Sequence, residues 1–553
     1  MSRVDGLSRS IDGGAAPSPG ARKVVVALIL LASLVANSVG IEFGQPRHYD
    51  QSVDAIPPVL SVDAALNVFG ERSTVGIKYP PVHFVVTGAV ERAYLRWRYG
   101  AEDSRALERD MLQVLAESDA GVREWDRDSW RPWAEPIGGM IIAGRWVSAV
   151  MGTLLVLGVL LFGRALFGFT VGAIAAALTA VSYPVVFYSH TLNVDVPYLC
   201  WGVFALHAGV RAVQTGSPRW LTACGVLAAF SAATKDQAYG WFLATGPLIL
   251  ILMARPGGLA SSPTRQLSFG GVLWPTAITV AAYLALLGSV FDLEAVRLHF
   301  EHIFGAGVDP YRVHQNTVSG HVDLLRENVS WVLDGLGWPV MLLSCVGAAL
   351  ALRADVRRGL LVLVPALSYY ASFIAPIGYT TLRFTIPIQM MLLVAAAVPL
   401  GWALASPRLR WVGAALLAIC VGQGVTRTVA LDRMLLADPR PAAIAYMAEH
   451  VADGAGVIRL ESTIYAVEPP PHARVQTLSR AALEIPAEFG HPDYLLVAYF
   501  DPSSDGSQAV LPELELLGYQ FAIEEKFEPA LSHPIRRDPG FQPTILLYRR
   551  VGG

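Results

Sequence analysis

The sequence predicts a polytopic bundle of transmembrane helices followed by a small α/β domain, and three observations lead to that prediction. Of 553 residues, 53% are hydrophobic and only 16% charged, with a mean hydropathy of +0.44, well above the pattern of a water-soluble protein. The apolar residues are gathered into stretches near the ~20 residues that cross a bilayer. From about residue 431 the pattern reverts to polar segments punctuated by Gly and Pro.

Residues 1–23 are rich in Gly, Ser, Pro and Ala up to residue 20 and are expected to be a disordered cytoplasmic tail. Eleven segments then qualify as spans: 24–41, 138–162, 168–190, 196–211, 219–233, 237–254, 271–291, 331–352, 359–376, 383–403 and 411–429. The first follows Arg22-Lys23 but is long for the apolar core of a signal peptide and ends in Ile41-Glu42-Phe43 without a small-residue cleavage site. It is read as a membrane helix. A twelfth apolar stretch, Tyr79 to Val90, decides the orientation. With residues 79–95 lying along the surface, Arg3, Arg9, Arg22 and Lys23 share the cytoplasmic side with Arg164, Arg211, Arg219, Arg255, Arg265, Arg353, Arg357, Arg358, Arg408 and Arg410, as the positive-inside rule requires. Counting it as a span moves every later arginine in that set outside. The amphipathic flanks Lys-Tyr-Pro-Pro and Glu-Arg-Ala-Tyr-Leu-Arg-Trp-Arg suit an interfacial helix.

This parity divides 24–430 into a membrane domain with two long outer loops, 42–137 and 292–330, and leaves 431–553 outside as a soluble domain. In the latter, Pro441 to Val451 reads as a helix, and Gly456 to Leu460, Tyr494 to Tyr499 and Thr544 to Tyr548 read as strands. No internal repeat is visible. The net charge of −3 and the lack of a basic run interleaved with aromatics exclude a nucleic-acid surface. Cys200, Cys224, Cys345 and Cys420 all fall in apolar segments, where cysteine behaves as a small core residue and no outer loop is stapled.

Ionisable groups that a membrane resists tend to mark function. Here they collect at one interface: Asp50 and Asp54 after the first span, Lys78 before Pro80-Pro81, Arg145 opening the second, Asp195 between the third and fourth, Lys235 between the fifth and sixth, and Arg383 opening the tenth. Carboxylates beside cations suit deprotonation of a hydroxyl and neutralisation of a departing phosphate. Competing readings stand beside these. Asp195 is placed to cap the fourth span, Lys78 and Lys235 to snorkel, Arg145 and Arg383 to pair with lipid headgroups, and Tyr79-Pro80-Pro81 to stiffen a turn. In the second outer loop, His299 and His302 have the i, i+3 spacing of a metal pair, or of an amphipathic cover beside the membrane.

These residues fall in a familiar order: His48-Tyr49-Asp50-Gln51, Lys78-Tyr79-Pro80-Pro81, Arg145-Trp146-Val147-Ser148-Ala149, Asn193-Val194-Asp195-Val196-Pro197, Thr234-Lys235 and Arg383-Phe384-Thr385-Ile386-Pro387. Over roughly 20–430 the sequence resembles the GT-C glycosyltransferases of the protein O-mannosyltransferase and lipid A aminoarabinose transferase type. The resemblance implies a GT-C fold and inverting transfer of a sugar from a polyprenyl-phosphate donor to a hydroxyl of a glycan, lipid or protein acceptor at the outer face of the membrane. It makes Asp50 the general base, Asp195 a second acid at the acceptor site, and Lys78 and Arg383 ligands of the donor phosphate, with Lys235, Arg145 and Tyr79 as further substrate-binding candidates. Gln51 replaces the second acid usual in such motifs, so Asp54 is the alternative base. No cofactor is required, and a divalent cation between Asp50 and Asp195 is the one addition the pattern leaves open. An Ala-, Arg- and Val-rich composition points to a bacterial inner membrane with the site facing the periplasm. A transporter or flippase is the rival class, although charge near the midplane and internal repeats would then be expected. A non-catalytic sensor would leave the Asp, Lys and Arg cluster without a use.

Overall fold

The computed structural model describes residues 18–44, 58–67, 80–117, 133–254, 269–288, 292–304, 312–460, 467, 469–478, 485, 489–499, 507–528 and 544–551. In chain order the helices are α1 Pro19–Ala36, α2 Pro58–Leu66, α3 Val82–Tyr99, α4 Ala101–Glu117, α5 Ala134–Phe167, α6 Phe169–Ala180, α7 Tyr183–Ser189, α8 Asp195–Thr215, α9 Pro218–Ala232, α10 Tyr239–Ala254, α11 Phe269–Leu287 and α12 Leu293–Phe304. They continue with α13 Val318–Leu336, α14 Trp338–Ala354, α15 Val356–Tyr369, α16 Leu382–Ala405, α17 Arg410–Leu436 and α18 Pro439–His450. The chain ends in β1 Gly456–Leu460, β2 Arg474–Leu478, β3 Tyr494–Tyr499, α19 Ser507–Leu516, β4 Phe521–Phe527 and β5 Thr544–Arg550. Two units emerge, one of Met1–Ile41 with Ile56–Thr428, the other of Glu42–Ala55 with Val429–Gly553.

Among the described residues, eight helices are long and apolar enough to cross a membrane, or ten if each of two bent pairs counts as one span. Two of the expected spans are bent, for a reason written in the chain. Between α6 and α7 the axis turns 62° just ahead of Pro184, which lacks an N–H and clashes with the carbonyl four residues back. Between α13 and α14 it turns 110° at Gly337, whose φ of +77° suits glycine, with Pro339 next in line. The expected span 219–233 is α9, whose 15 residues reach only ~22 Å, short of the ~30 Å hydrocarbon core.

Burial separates core from periphery. The apolar windows of α8 and α16 are 78% and 72% buried, against 6% for α1 and 11% for α11, so α8 and α16 form the middle of the bundle. Close approach there depends on small residues. A Cβ at Gly202 of α8 would sit 2.6 Å from the buried Trp241 ring of α10, and one at Gly172 of α6 would sit 2.5 Å from the Leu160 carbonyl of α5. The surface helix expected at 79–95 begins at Val82 and is too polar to count as a span. It is more than a cover, because His83, Thr87, Glu91 and Leu95, spaced four apart on one face, are all buried. Glu91 lies against Gly144 of α5, and burial pushes its carboxyl well above the usual range.

The second unit holds a five-stranded sheet of order β2-β1-β3-β5-β4, parallel from β2 to β3 and antiparallel from β3 to β4. Alternation along β3 and β5 sorts the two faces. Tyr494, Leu496, Ala498, Ile545 and Leu547 pack with Ala443 and Met447 of α18, while Leu495, Val497, Leu546 and Tyr548 pack with Val510 and Leu514 of α19. The helix and three strands expected here are present; β2, β4 and α19 add to them.

Candidate active site

The site is built where α8, α9 and α16 meet their connecting segments. Asp195 is the first residue of α8 and is fully buried. It does not cap that helix. Asn193 accepts the Asp195 N–H through Oδ1 at 3.1 Å, while Asp195 Oδ1 accepts from Lys235 Nζ at 2.5 Å. Asp195 Oδ2 is buried and has no hydrogen-bond partner among the described residues. A buried carboxylate oxygen left in that state is costly.

Lys235 follows α9 in an extended conformation, with 13% of its side chain exposed. Its ammonium sits 5.7 Å from the centroids of both Tyr198 and Phe384. Burial pushes it down to about 8, against the opposing pull of Asp195. Arg383, in the first turn of α16, is close enough to act on Asp195, Tyr188 and Tyr379. Two further contacts frame the group. Gln237 donates to the Tyr198 hydroxyl at 2.9 Å, and His299 of α12, only 2% exposed, pairs with Asp236 at 3.0 Å.

Residues 312–328 strap down the turn ahead of Arg383. Arg312 donates to the Pro376 carbonyl at 2.5 Å, the Val313 and His314 N–H groups donate to the Gly378 carbonyl at 3.2 and 2.8 Å, and Asn328 donates to Thr380 at 3.1 Å. On the other side, the Val82 N–H donates to the Ala233 carbonyl at 3.1 Å, so the Pro80-Pro81 step is fixed beside the Thr234-Lys235 step.

The structure thus brings together Asp195, Lys235 and Arg383. Arg145 is fully buried in α5 and donates through Nη1 to the Ile41 carbonyl at 2.9 Å. Asp50, Asp54, Lys78 and Tyr79 lie outside the described residues. Tyr188, Tyr379, Gln237 and Asp236 went unnoticed in the sequence, and only Asp236, next to Lys235, offered a charge to notice. Among the described residues no trio of His, Cys, Asp and Glu side chains gathers to hold a metal; His299 faces Asp236.

A family model described as dolichyl-phosphate-mannose-protein mannosyltransferase matches residues 136–279, from α5 into α11, the stretch that carries both Asp195 and Lys235. No curated protein matches. Among solved structures, the chain is similar to ArnT from Cupriavidus metallidurans bound to undecaprenyl phosphate, with 14% identity and a TM-score of 0.47 over 96% of this chain and 98% of that one. It is also similar to the archaeal oligosaccharyltransferase AglB from Archaeoglobus fulgidus, at 11% identity and a TM-score of 0.44 over 79% and 62%. For the protein O-mannosyltransferase Pmt1-Pmt2 complex of S. cerevisiae the values are 16%, 0.33, 54% and 35%. Over residues 136–279 the chain resembles the dolichyl-phosphate-mannose-protein mannosyltransferases, and its apolar helices are those of an integral membrane protein.

Proposed function

We propose that the protein transfers a sugar from a polyprenyl-phosphate carrier to an acceptor hydroxyl at the extracytoplasmic face of a bacterial inner membrane, with inversion at the anomeric carbon. The observation that carries this reading is the buried Asp195–Lys235 pair beside Arg383, in which one carboxylate oxygen is engaged and the other has no partner among the described residues. Asp50 is the general base in this scheme and Asp54 its alternative. The base removes the proton of the acceptor hydroxyl as its oxygen attacks the anomeric carbon, and polyprenyl phosphate departs. Arg383, Lys78 and Lys235 meet the charge that develops on the leaving phosphate, and Asp195 orients the acceptor. No metal is needed in this scheme. The acceptor is a glycan, a lipid or a protein.

The test is consumption of a panel of radiolabelled polyprenyl-phosphate sugars by purified protein in native membrane extract. One donor is expected to turn over, with Asp50→Asn at least ~100-fold slower, the scale of a lost general base. Lack of turnover with every donor would move the protein to the transporter class.

Two further results are expected. Lys235 carries its charge below about pH 8 and loses it above, so kcat/KM falls as pH rises from 8 to 9. Lys235→Arg, which stays protonated, removes that fall; a profile identical in the two proteins sinks the assignment. For orientation, Ala101→Cys and Val356→Cys are made in a protein whose exposed Cys345 has been replaced. A membrane-impermeant thiol reagent labels the first from outside and leaves the second untouched until the cells are opened. Labelling of residue 356 in intact cells reverses the topology.

A further inference from the structure

His190 is a second buried group in this region, outside the Asp195 cluster. It follows α7 and is completely enclosed. Its Nε2 lies 2.7 Å from the Val39 carbonyl and its Nδ1 2.8 Å from the Val186 carbonyl. Val186 is one helical turn back, a local contact. Val39 is on the turn by which the chain leaves α1, far away in sequence. The same turn is gripped twice more, by Arg145 at the Ile41 carbonyl and by Asn37, whose Nδ2 donates to the Ala149 carbonyl at 3.4 Å.

An imidazole is an expensive way to fill space inside a bundle, because its polar nitrogens must be satisfied there while leucine or phenylalanine fills the volume freely. The neutral ring has one N–H for two carbonyls, and only the imidazolium serves both. The contact at Nε2 is the one that joins segments far apart in sequence. Beyond His190, residues 191–194 are buried and lead straight into Asp195.

We infer that His190 is a positioning residue for the transfer reaction, tying the exit of the first span to the segment that sets Asp195. His190 touches no substrate in this role. It acts through the backbone, which is why its effect belongs in kcat rather than in donor binding by Lys235 and Arg383.

The inference rests on the transferase reading, so its test has one arm that uses turnover and one that does not. In the first, His190→Leu lowers kcat at least ~10-fold with donor KM within ~2-fold, the signature of displaced rather than lost groups. His190→Gln, which keeps one amide donor, recovers to within ~3-fold of wild type, as a hydrogen bond restored in kind should. In the second arm, amide exchange over residues 37–41 and 186–195 speeds at least ~10-fold in His190→Leu and returns in His190→Gln. A leucine variant that matches wild type in both arms overturns the inference, as does a glutamine variant as impaired as leucine, or a loss confined to KM. If the leucine variant does not fold, the glutamine variant decides alone, and a kcat reduced ~10-fold or more refutes the tie. If wild type consumes no donor, the transferase reading fails, while unchanged exchange in the variants separately refutes the tie.

Discussion

Asp195→Asn is expected to lower sugar transfer at least ~100-fold in a protein that still folds, the range over which lost positioning and charge stabilisation at a reacting centre are felt. Asparagine keeps the shape of the side chain and an oxygen for Lys235, so the 2.5 Å contact survives as a weaker neutral–cation bond. Two things disappear: the negative charge that balances Lys235 and Arg383, and an anionic oxygen at the Oδ2 position, which no donor among the described residues fills. With the balance gone, the two cations hold the donor phosphate more strongly before reaction, while the acceptor loses the oxygen that orients its hydroxyl. The expected pattern is therefore a fall in kcat with an unchanged or lowered donor KM, measured as donor consumption with saturating acceptor extract. A loss smaller than ~5-fold would assign Asp195 to architecture alone, since positioning and charge stabilisation at a reacting centre are worth more than that.

The bundle was legible in the sequence because a bilayer imposes a length and a composition that few soluble segments meet. Hydropathy windows average over local breaks, so the bends at Pro184 and Gly337 passed unread although both residues were visible. In the second unit, β1, β3 and β5 are the buried strands, and their apolar runs announced them. The edge strands β2, Arg474-Val-Gln-Thr-Leu, and β4, Phe-Ala-Ile-Glu-Glu-Lys-Phe, face solvent in part and show no clean alternation. Charge at an edge is what keeps such strands from pairing with strangers, and it also conceals them from a pattern search. At the site, Asp195, Lys235 and Arg383 could be picked out because a charge beside an apolar run is conspicuous. Tyr188, Tyr379 and Gln237 bear no formal charge, and tyrosine at a membrane interface is ordinary. An arginine opening a span looks the same in sequence whatever it meets, and the contact of Arg145 with the Ile41 carbonyl has no sequence signal.

Lys235→Met is expected to destabilise the protein by ~3 kcal/mol, the lower end of what is lost when one member of a buried ion pair is removed. The side chain of Asp195 is 1% exposed, so a carboxylate left there has exchanged water for the interior without its nearest counter-charge. Arg383 still acts on Asp195 and offsets part of the cost, which is why the lower end applies. Methionine preserves most of the length and apolar volume of lysine, so a cavity is not the cause of the effect. The sign of the double variant is the discriminating result. Asp195→Asn combined with Lys235→Met removes both charges, and its thermal midpoint in detergent, read by tryptophan fluorescence, should lie above that of Lys235→Met alone. If the pair were instead hydrated through an opening to the outer face, Lys235→Met would cost less than ~1 kcal/mol and the two changes would simply add. A positive coupling identifies a charge pair kept in a dry site despite its cost to folding, as expected of groups retained for a reaction that develops charge.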